Sequence, residues 1–85
     1  MVKSYRVYIL RNPAGRRYIG ISEDPAQRLV QHNAGKSKWT AKFKPWSIEW
    51  TSQPMCLSKA RKLENLLKRQ KGGQGLERIK QSEGS

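Results

Sequence analysis

Cysteine and histidine are almost absent from this chain, which contains one residue of each, Cys56 and His32. A single cysteine excludes an internal disulfide, and one cysteine with one histidine excludes a structural zinc site with four protein ligands. The composition therefore predicts a reduced setting inside the cell, and we expect the protein in the cytoplasm.

Long hydrophobic runs are missing as well. No apolar run approaches the length of about 18 residues that a transmembrane helix requires. The N-terminal segment alternates in polarity, whereas a signal peptide has a continuous apolar core. We therefore expect neither secretion nor membrane insertion.

Acidic residues are scarce relative to basic ones. The chain has 6 Asp and Glu against 18 Lys and Arg, which gives a formal net charge of +12. This excess favours a polyanionic partner, above all nucleic acid. A basic assembly protein that binds RNA or a ribonucleoprotein through charge is the alternative explanation.

The length bounds the organisation of the chain. With 85 residues we expect a single domain over residues 1–85, with one core of limited depth. The core should span about residues 4–80, and residues 81–85 are predicted to be frayed.

A β-hairpin is the first pattern along the chain. Residues 5–10 alternate as in a pleated strand, with Tyr5, Val7 and Ile9 on one face and Arg6, Tyr8 and Leu10 on the other. Asn12-Pro13-Ala14-Gly15 has the composition of a tight turn that ends in a left-handed residue. A second strand is predicted over about residues 16–21.

The turn also predicts which side chains share a face. If Asn12 pairs with Arg16, Tyr8 and Tyr18 emerge diagonally on one face of the hairpin. Gly20 then leaves a gap beside the two tyrosines, as a strand glycine often does where a ligand or another backbone approaches. The opposite face carries apolar side chains: Val7, Ile9, Ile19 and Ile21.

A helix is predicted to begin at Asp24-Pro25, because Asp can cap free backbone N–H groups and Pro is tolerated at the first helical position. Gly35 is the predicted stop. Arg28 and His32 are four residues apart, on a face that we expect the core not to use. The stripe expected to face the core consists of Ala26, Leu29, Val30 and Asn33.

Residues 35–45 interleave lysines with aromatic residues, and we interpret them as an ordered loop rather than a helix. Lysines would neutralise phosphates while rings stack on unpaired bases. The alternative is that either ring merely covers the edge of the core. The residues concerned are Lys36, Lys38, Lys42 and Lys44, with Trp39 and Phe43.

Three further elements follow. A third strand with a bulky buried face is predicted from Trp46, Ile48 and Trp50. A helix over about 54–71 has an inward stripe of Cys56, Ala60, Leu63 and Leu67, and Gly72-Gly73 ends it. Leu76 and Ile79 predict a short last helix.

The order β-β-α-β-α, with a short third helix, predicts an α+β fold: a small three-stranded antiparallel sheet flanked by helices. The pattern leaves open whether the third strand lies beside the first or the second.

The spacing of several residues resembles a known family. Val7-Tyr8-Ile9, then Tyr18-Ile19-Gly20, then Arg28, His32 and Glu64 are similar to the GIY-YIG nuclease domain, above all to its small stand-alone bacterial members. Those members are similar in length to the N-terminal catalytic domain of the bacterial excinuclease. The resemblance covers about residues 4–79. One departure is Arg6, which stands where the first motif usually has glycine.

The resemblance implies a divalent-metal-dependent endonuclease that hydrolyses phosphodiester bonds, with a role in DNA repair or recombination. Tyr8 would act as general base or position the water, Tyr18 would lie at the scissile phosphate, and Arg28 would stabilise that phosphate. His32 would assist proton transfer, and Glu64 would hold one Mg²⁺ or Mn²⁺ ion. One carboxylate suffices for Mg²⁺ when water and substrate oxygens complete the octahedron.

Nucleic acid is the implied partner, DNA rather than RNA, while a protein partner or a homodimer is left open. The family's downstream asparagine has no clear counterpart; Gln74 is the first candidate and Asn65 the second. The residues expected to contact nucleic acid are Arg17, Lys36, Lys38, Trp39, Lys42, Lys44 and Lys68.

Each residue also has a structural explanation. The tyrosines could form an ordinary cross-strand pair, and His32 could favour the C-terminal end of its helix. Glu64 could pair with Lys68 on the helix surface. A catalytically weak or inactive module that binds nucleic acid through the same basic face is therefore the alternative function.

Overall fold

The computed structural model describes residues 3–70 and 74–84. Within them a tight turn joins the first two strands, β1 (Arg6–Arg11) and β2 (Arg17–Ser22). The backbone N–H of Asn12 donates to the Arg16 carbonyl over 3.1 Å, and Gly15 takes the positive φ of 85° that the turn requires. The predicted pairing about the turn is confirmed.

The register of the hairpin places Tyr8 opposite Gly20 and Leu10 opposite Tyr18. The two tyrosines therefore lie diagonally on one face of the sheet, as the sequence predicts. The third strand, β3 (Ser47–Thr51), pairs antiparallel with β1, so the strand order is β2-β1-β3. This settles the position that the sequence left open.

Helices flank the sheet on both faces, and the predicted α+β class with a three-stranded antiparallel sheet is confirmed. On one face, β1 packs with helices α3 (Leu57–Gln70) and α4 (Gln74–Glu83) in a cluster of Val7, Ile9, Ala60, Leu63, Leu67 and Leu76. The other face carries α1 (Pro25–Asn33) and α2 (Lys38–Ala41), with a second cluster of Tyr8, Leu10 and Trp46. Both tyrosines belong to this second face.

The inward face of α1 differs from the prediction. Val30 is 67% exposed, Ala26 is also exposed, and the buried residues of the helix are Pro25 and His32. His32 can be buried because both of its ring nitrogens have hydrogen-bond partners, so a polar side chain occupies the core face and an apolar one faces water. The start of α1 agrees with the prediction, since Asp24 accepts a hydrogen bond from the backbone N–H of Gln27.

The predicted common face of the third strand is wrong. Ile9 pairs with Trp50 but Leu10 pairs with Ile48, so the register shifts at this point and Glu49 is an extra residue. The shift reverses the alternation. As a result Trp46 packs with Tyr8 on one face, whereas Trp50 packs with Ile9 on the other, and Ile48 is 37% exposed.

Residues 35–45 are not wholly loop, because they contain the single turn of α2. Ala41 donates its backbone N–H to the Ser37 carbonyl over 2.9 Å, and the buried Thr40 anchors the turn to α1. A helix this short has little stability alone, so these tertiary contacts explain what local pattern does not predict.

The long helix starts later than predicted. Met55 and Tyr5 exchange two backbone hydrogen bonds of 2.8 Å, which holds this segment extended, and α3 begins at Leu57. Cys56 is therefore exposed rather than part of the inward stripe. The predicted stop at Gly72-Gly73 lies outside the described residues.

The C-terminal helix is longer and better anchored than predicted. α4 continues to Glu83, whose carbonyl accepts the backbone N–H of Gln53 over 2.9 Å. The indole of Trp50 donates to the Lys80 carbonyl. Residues 81–83 thus belong to α4, and Gly84 forms a bridge with Ser52, in the tail for which the sequence predicts fraying; residue 85 lies outside the described part. Among the helices described, none combines the length and the apolar character needed to cross a membrane.

Candidate active site

A cleft opens where the edge strand β2 meets α1 and α3, with a volume of about 430 Å³. Four of the five predicted catalytic residues line it: Tyr8, Tyr18, Arg28 and Glu64. The remaining wall consists of Gly20 with Tyr5, Ile21, Leu57 and Arg61. Residues from the hairpin, the first helix and the long helix thus meet at one solvent-accessible point.

Gly20 makes the room in which the Tyr8 phenol sits. A Cβ atom added at Gly20 would lie 2.6 Å from the Tyr8 hydroxyl oxygen, 2.7 Å from its Cζ atom and 3.1 Å from the Tyr18 ring. Such distances are far inside van der Waals contact, so any side chain here would displace Tyr8. The ring centroids of the two tyrosines are 6.3 Å apart.

His32 lies behind the cleft, in contact with Tyr8. The Tyr8 hydroxyl and His32 Nε2 are 3.1 Å apart, and His32 Nδ1 is 2.9 Å from the Thr40 hydroxyl. We assign the one hydrogen of the Thr40 hydroxyl to its 3.3 Å contact with the Ser37 carbonyl, and with this assignment the hydroxyl accepts from the Nδ1–H group of His32. Nε2 then carries the lone pair, and the Tyr8 hydroxyl donates to it.

The electrostatic surroundings keep both groups of this pair neutral. Burial raises the pKa of Tyr8, an effect that the nearby Arg28 guanidinium opposes and that Tyr18 and Glu64 reinforce. Burial lowers the pKa of His32, and the positive charge of Arg28 lowers it further. At neutral pH the structure therefore holds a protonated phenol against an unprotonated imidazole.

Arg28 is oriented along the cleft by its own helix. Its Nη1 group donates a hydrogen bond to the side-chain oxygen of Gln31, three residues later on α1. The guanidinium lines the cleft together with Tyr8, and its positive charge acts to lower the pKa of both Tyr8 and His32. A phosphate in the cleft would meet this fixed cation.

Glu64 supplies the carboxylate of the cleft. Its side chain is 19% exposed and pairs with Lys68 over 3.3 Å, so the ion pair considered from the sequence is present. In the described part of the chain, no group of three or more His, Cys, Asp and Glu side chains is placed to hold a metal. A single accessible carboxylate fits Mg²⁺, which commonly uses one or two carboxylates together with water and substrate oxygens.

A second cleft of about 520 Å³ adjoins the first and shares Tyr18 and Glu64 with it. Arg17 and Lys68 also line this second cleft. Arg17 is not free there, because its Nε group pairs with the carboxylate of Glu49 over 2.9 Å, and Lys80 pairs with the same carboxylate. Burial alone would raise the pKa of Glu49, but these two cations outweigh it and lower that pKa.

The lysines of residues 35–45 are arranged differently from Arg17. Four lysines of this segment are exposed, and within the described residues none of them pairs with an acidic side chain; they are Lys36, Lys38, Lys42 and Lys44. Their segment also carries Thr40, which contacts His32, and Trp39, whose ring centroid is 6.1 Å from that of Tyr18. The unpaired positive charge therefore lies on the segment beside the cleft.

The two candidates for the family's downstream asparagine do not line the cleft. Gln74 borders a separate depression with Glu77, Arg78 and Gln81, at the start of α4. Asn65 is exposed on α3, one position beyond Glu64 and so about 100° around the helix.

Sequence reasoning missed two residues of the site, Thr40 and Gln31. The contact between Gln31 and Arg28 has the i, i+3 spacing of neighbours on a helix, so a search for polar partners of Arg28 would have found it. Thr40 lies eight residues beyond His32 in a segment expected to be a loop. No local pattern connects the two, so only the tertiary structure shows their contact.

Comparison with known proteins identifies the family of the chain. The family model for the GIY-YIG catalytic domain matches residues 4–77. A UPF0213 protein of Aeromonas salmonicida (strain A449) is 37% identical over 67 residues, which covers 78% of this chain and 49% of the relative. A UPF0213 protein of Yersinia pestis (strain Pestoides F) is 50% identical over 32 residues, covering 38% of this chain and 34% of that protein. No solved structure gives a significant match.

The chain spans about half the length of the Aeromonas relative. The family match nevertheless covers both strands of the hairpin, the first helix and the long helix, which are the elements that build the cleft. On this match, and on the residues that meet in the cleft, the chain belongs to the GIY-YIG catalytic domain family.

Proposed function

We propose that this protein is a metal-dependent endonuclease that hydrolyses phosphodiester bonds in DNA or structured nucleic acid. One observation carries the proposal: Tyr8, Tyr18, Arg28 and Glu64 line a single accessible cleft, with His32 hydrogen-bonded to Tyr8 behind it. If the tyrosines were only a cross-strand pair and Glu64 only a surface ion pair, no glycine would be needed beside the tyrosine rings, where Gly20 leaves space.

The proton chemistry is assigned to Tyr8 and His32. As a water molecule attacks phosphorus, the Tyr8 hydroxyl oxygen accepts its proton while the phenolic proton passes to Nε2 of neutral His32. The bond from phosphorus to the leaving oxygen breaks in the same displacement, and that oxygen takes a proton from solvent. This relay avoids a free phenolate, which the buried setting of Tyr8 disfavours. Thr40 holds the imidazole in the tautomer that can accept the proton.

Stabilisation of the negative charge that develops on the phosphate is assigned to Arg28, which is oriented by Gln31. Tyr18 positions the phosphate from the neighbouring strand. Glu64 would hold the metal, here proposed as one Mg²⁺ or Mn²⁺ ion. When bound, such an ion acts as a Lewis acid on phosphate oxygens.

We propose DNA rather than RNA as the polymer, since the family resemblance is to a catalytic domain of an excinuclease. The lysines of residues 35–45 would hold its backbone, so structure rather than base sequence would guide binding. The proposal extends to a cytoplasmic location and to DNA repair or recombination. A protein partner or a second copy of the chain would be needed to cut both strands.

The test is incubation of purified protein with branched, flapped and plain duplex DNA, with Mg²⁺ or Mn²⁺ and in parallel with EDTA. We expect cleavage that EDTA abolishes and that Glu64→Ala and Tyr8→Phe both remove. Cleavage of equal rate in all three preparations would point to a contaminant and contradict the proposal.

A binding module without catalysis is the second candidate, and one observation favours it. The carboxylate of Glu64 is paired with Lys68, whereas the four lysines of residues 35–45 have no acidic partner in the described structure. The surface for binding is thus preformed, while the carboxylate must exchange its partner. Salt-sensitive binding without cleavage under any metal would support this alternative.

A further inference from the structure

One aromatic ring stands partly exposed beside the cleft without a role in the proposed chemistry. Trp39 is 45% exposed, although its indole is stacked on that of Trp46 with centroids 5.9 Å apart and planes 28° apart. Phe43 packs against it with centroids 5.0 Å apart. One part of the ring is therefore held by the protein while the rest faces water.

The support beneath Trp39 is rigid. Trp46 is 4% exposed, and its indole N–H donates to the Thr40 carbonyl over 2.8 Å. Its backbone N–H and carbonyl both bond to the side chain of Asn33. A ring held in this way loses little conformational entropy when something stacks on it, which favours binding.

The position of Trp39 relates it to the cleft. Its centroid lies 6.1 Å from that of Tyr18, and Tyr18 lines the cleft together with Arg28 and Glu64. A planar group stacked on Trp39 would therefore belong to the nucleotide next to a phosphate in the cleft.

The charge around the ring identifies the kind of ligand. The lysines that surround Trp39 in sequence have no acidic partner in residues 3–70 and 74–84; they are Lys36, Lys38, Lys42 and Lys44. Arg16 lies over the Phe43 ring at 4.3 Å from its centroid. An apolar protein surface would leave these cations without counter-charge, whereas a nucleic-acid backbone supplies it.

We propose that Trp39 is a stacking site for an unpaired base beside the scissile phosphate, so that the substrate is a junction between single-stranded and duplex nucleic acid. Within an intact duplex each base is already stacked on its neighbours, and only an unpaired base offers its face to a protein ring. The inference rests on the proposed function, because it places the phosphate of that nucleotide in the cleft.

The test measures binding in EDTA, so that its result does not depend on hydrolysis. Two labelled DNAs of equal length and charge are compared by fluorescence anisotropy: a duplex with a short single-stranded overhang, and the same molecule with the first unpaired base removed to leave an abasic sugar. For the unaltered protein we expect the intact overhang to bind about ten-fold more tightly than the abasic version. This comparison needs no variant and so no assumption about folding.

Two variants then assign the effect to the ring. Trp39→Leu keeps an apolar side chain over Trp46 but removes the aromatic face, and it should abolish the difference between the two DNAs. Trp39→Phe should retain most of the difference. A blunt duplex should bind all three proteins within about two-fold of one another, since its phosphates are held by lysines.

Equal binding of the intact and abasic overhangs by the unaltered protein would overturn the proposal. The proposal would also be overturned if Trp39→Leu lost affinity equally for the overhang and the blunt duplex, because the ring would then insert into duplex DNA. It would likewise be overturned if Trp39→Leu changed neither affinity, because the ring would then contact a protein partner instead of DNA. Preference for the overhang without cleavage in Mg²⁺ would contradict the proposed nuclease function and support the stacking site. Cleavage without that preference would support the nuclease function and contradict the stacking site.

Discussion

The hydroxyl oxygen of Tyr8 lies 3.1 Å from Nε2 of His32, within hydrogen-bond distance, and both residues are only 1% exposed. The contact joins the central strand to the first helix directly behind the cleft. It turns two residues that are separate in sequence into one proton-transfer unit, and the tautomer of the imidazole depends on a third, Thr40.

Replacement of Thr40 tests that dependence. Thr40→Val leaves the Nδ1–H group of His32 buried without an acceptor, which costs about 1–3 kcal/mol in the free energy of unfolding. The ring is then free to exchange tautomer, and we expect the single-turnover cleavage rate to fall by about ten-fold or more. Thr40→Ser keeps the hydroxyl and should keep most of the rate. Equal rates for the valine and serine variants would show that Thr40 acts by packing alone.

Substitution of Gly20 tests the space around the Tyr8 phenol. In Gly20→Ala the new Cβ atom would lie 2.6 Å from the Tyr8 hydroxyl oxygen, so the ring must move and cleavage should be nearly lost. The accompanying overpacking should cost about 1–3 kcal/mol of stability, measured by urea unfolding.

Gly75→Ala is the matched control for Gly20→Ala. Its Cβ atom would also meet a close neighbour, but that neighbour is the flexible end of the Gln70 side chain, which can move aside, and Gly75 does not line the cleft. We expect unchanged cleavage in the control. Full activity in Gly20→Ala would mean that the position of Tyr8 is unimportant.

The pH dependence of cleavage follows from the pKa of His32. Because burial lowers this pKa below its usual value of about 6.5, the imidazole stays neutral and able to accept a proton at pH 7. The rate should therefore be retained as the pH falls from neutrality to about 6.5 and be lost as it falls further through the lowered pKa. A loss of rate already centred above about pH 6.5 would contradict the relay.

The free energy of unfolding should also fall as the pH is lowered, because the same imidazole titrates. The unfolded chain protonates His32 near its usual pKa of about 6.5 while the folded chain does not, so the free energy of unfolding falls as the pH drops from about 6.5 to the folded pKa. Urea unfolding at several pH values, with a His32→Gln variant that removes the titrating group, measures this contribution.

Salt dependence tests the role of the lysines near the cleft. About five neutralised phosphates would give a log–log slope of affinity against salt of about −4 to −5 on duplex DNA. Replacement of Lys38 and Lys42 by Gln should make the slope shallower by about 2. Arg17→Gln should change it little, since Arg17 is already paired with Glu49. If the lysine variants left the slope unaltered, the DNA would have to bind another face of the protein.

The hairpin shows what sequence reasoning can establish. The composition of the turn between Asn12 and Arg16 determines its register, and the register determines that Tyr8 and Tyr18 share a face. The motif residues then suffice to identify the family. These features are local or follow directly from counting along a strand, so no tertiary information is needed.

Other features depend on contacts that periodicity does not contain. The register shift opposite Ile9 and Leu10 places Trp46 and Trp50 on opposite faces of the sheet. The alternating pattern of the sequence does not indicate the extra residue that causes this shift. Hydrophobicity favours Val30 over His32 as a buried residue of α1. The reverse is found because Tyr8 and Thr40 satisfy both ring nitrogens of His32, and these partners are distant in sequence.

The central claim, that the cleft is a hydrolytic site acting through Tyr8, is tested most directly by two tyrosine variants. Tyr5 also lines the cleft, but its ring packs against the cluster on the opposite face of the sheet, so Tyr5→Phe is a matched control for Tyr8→Phe. In single-turnover cleavage of flapped DNA with Mg²⁺, we predict a loss of at least about 100-fold for Tyr8→Phe and near-normal rates for Tyr5→Phe. Equal rates for the two variants would contradict the account.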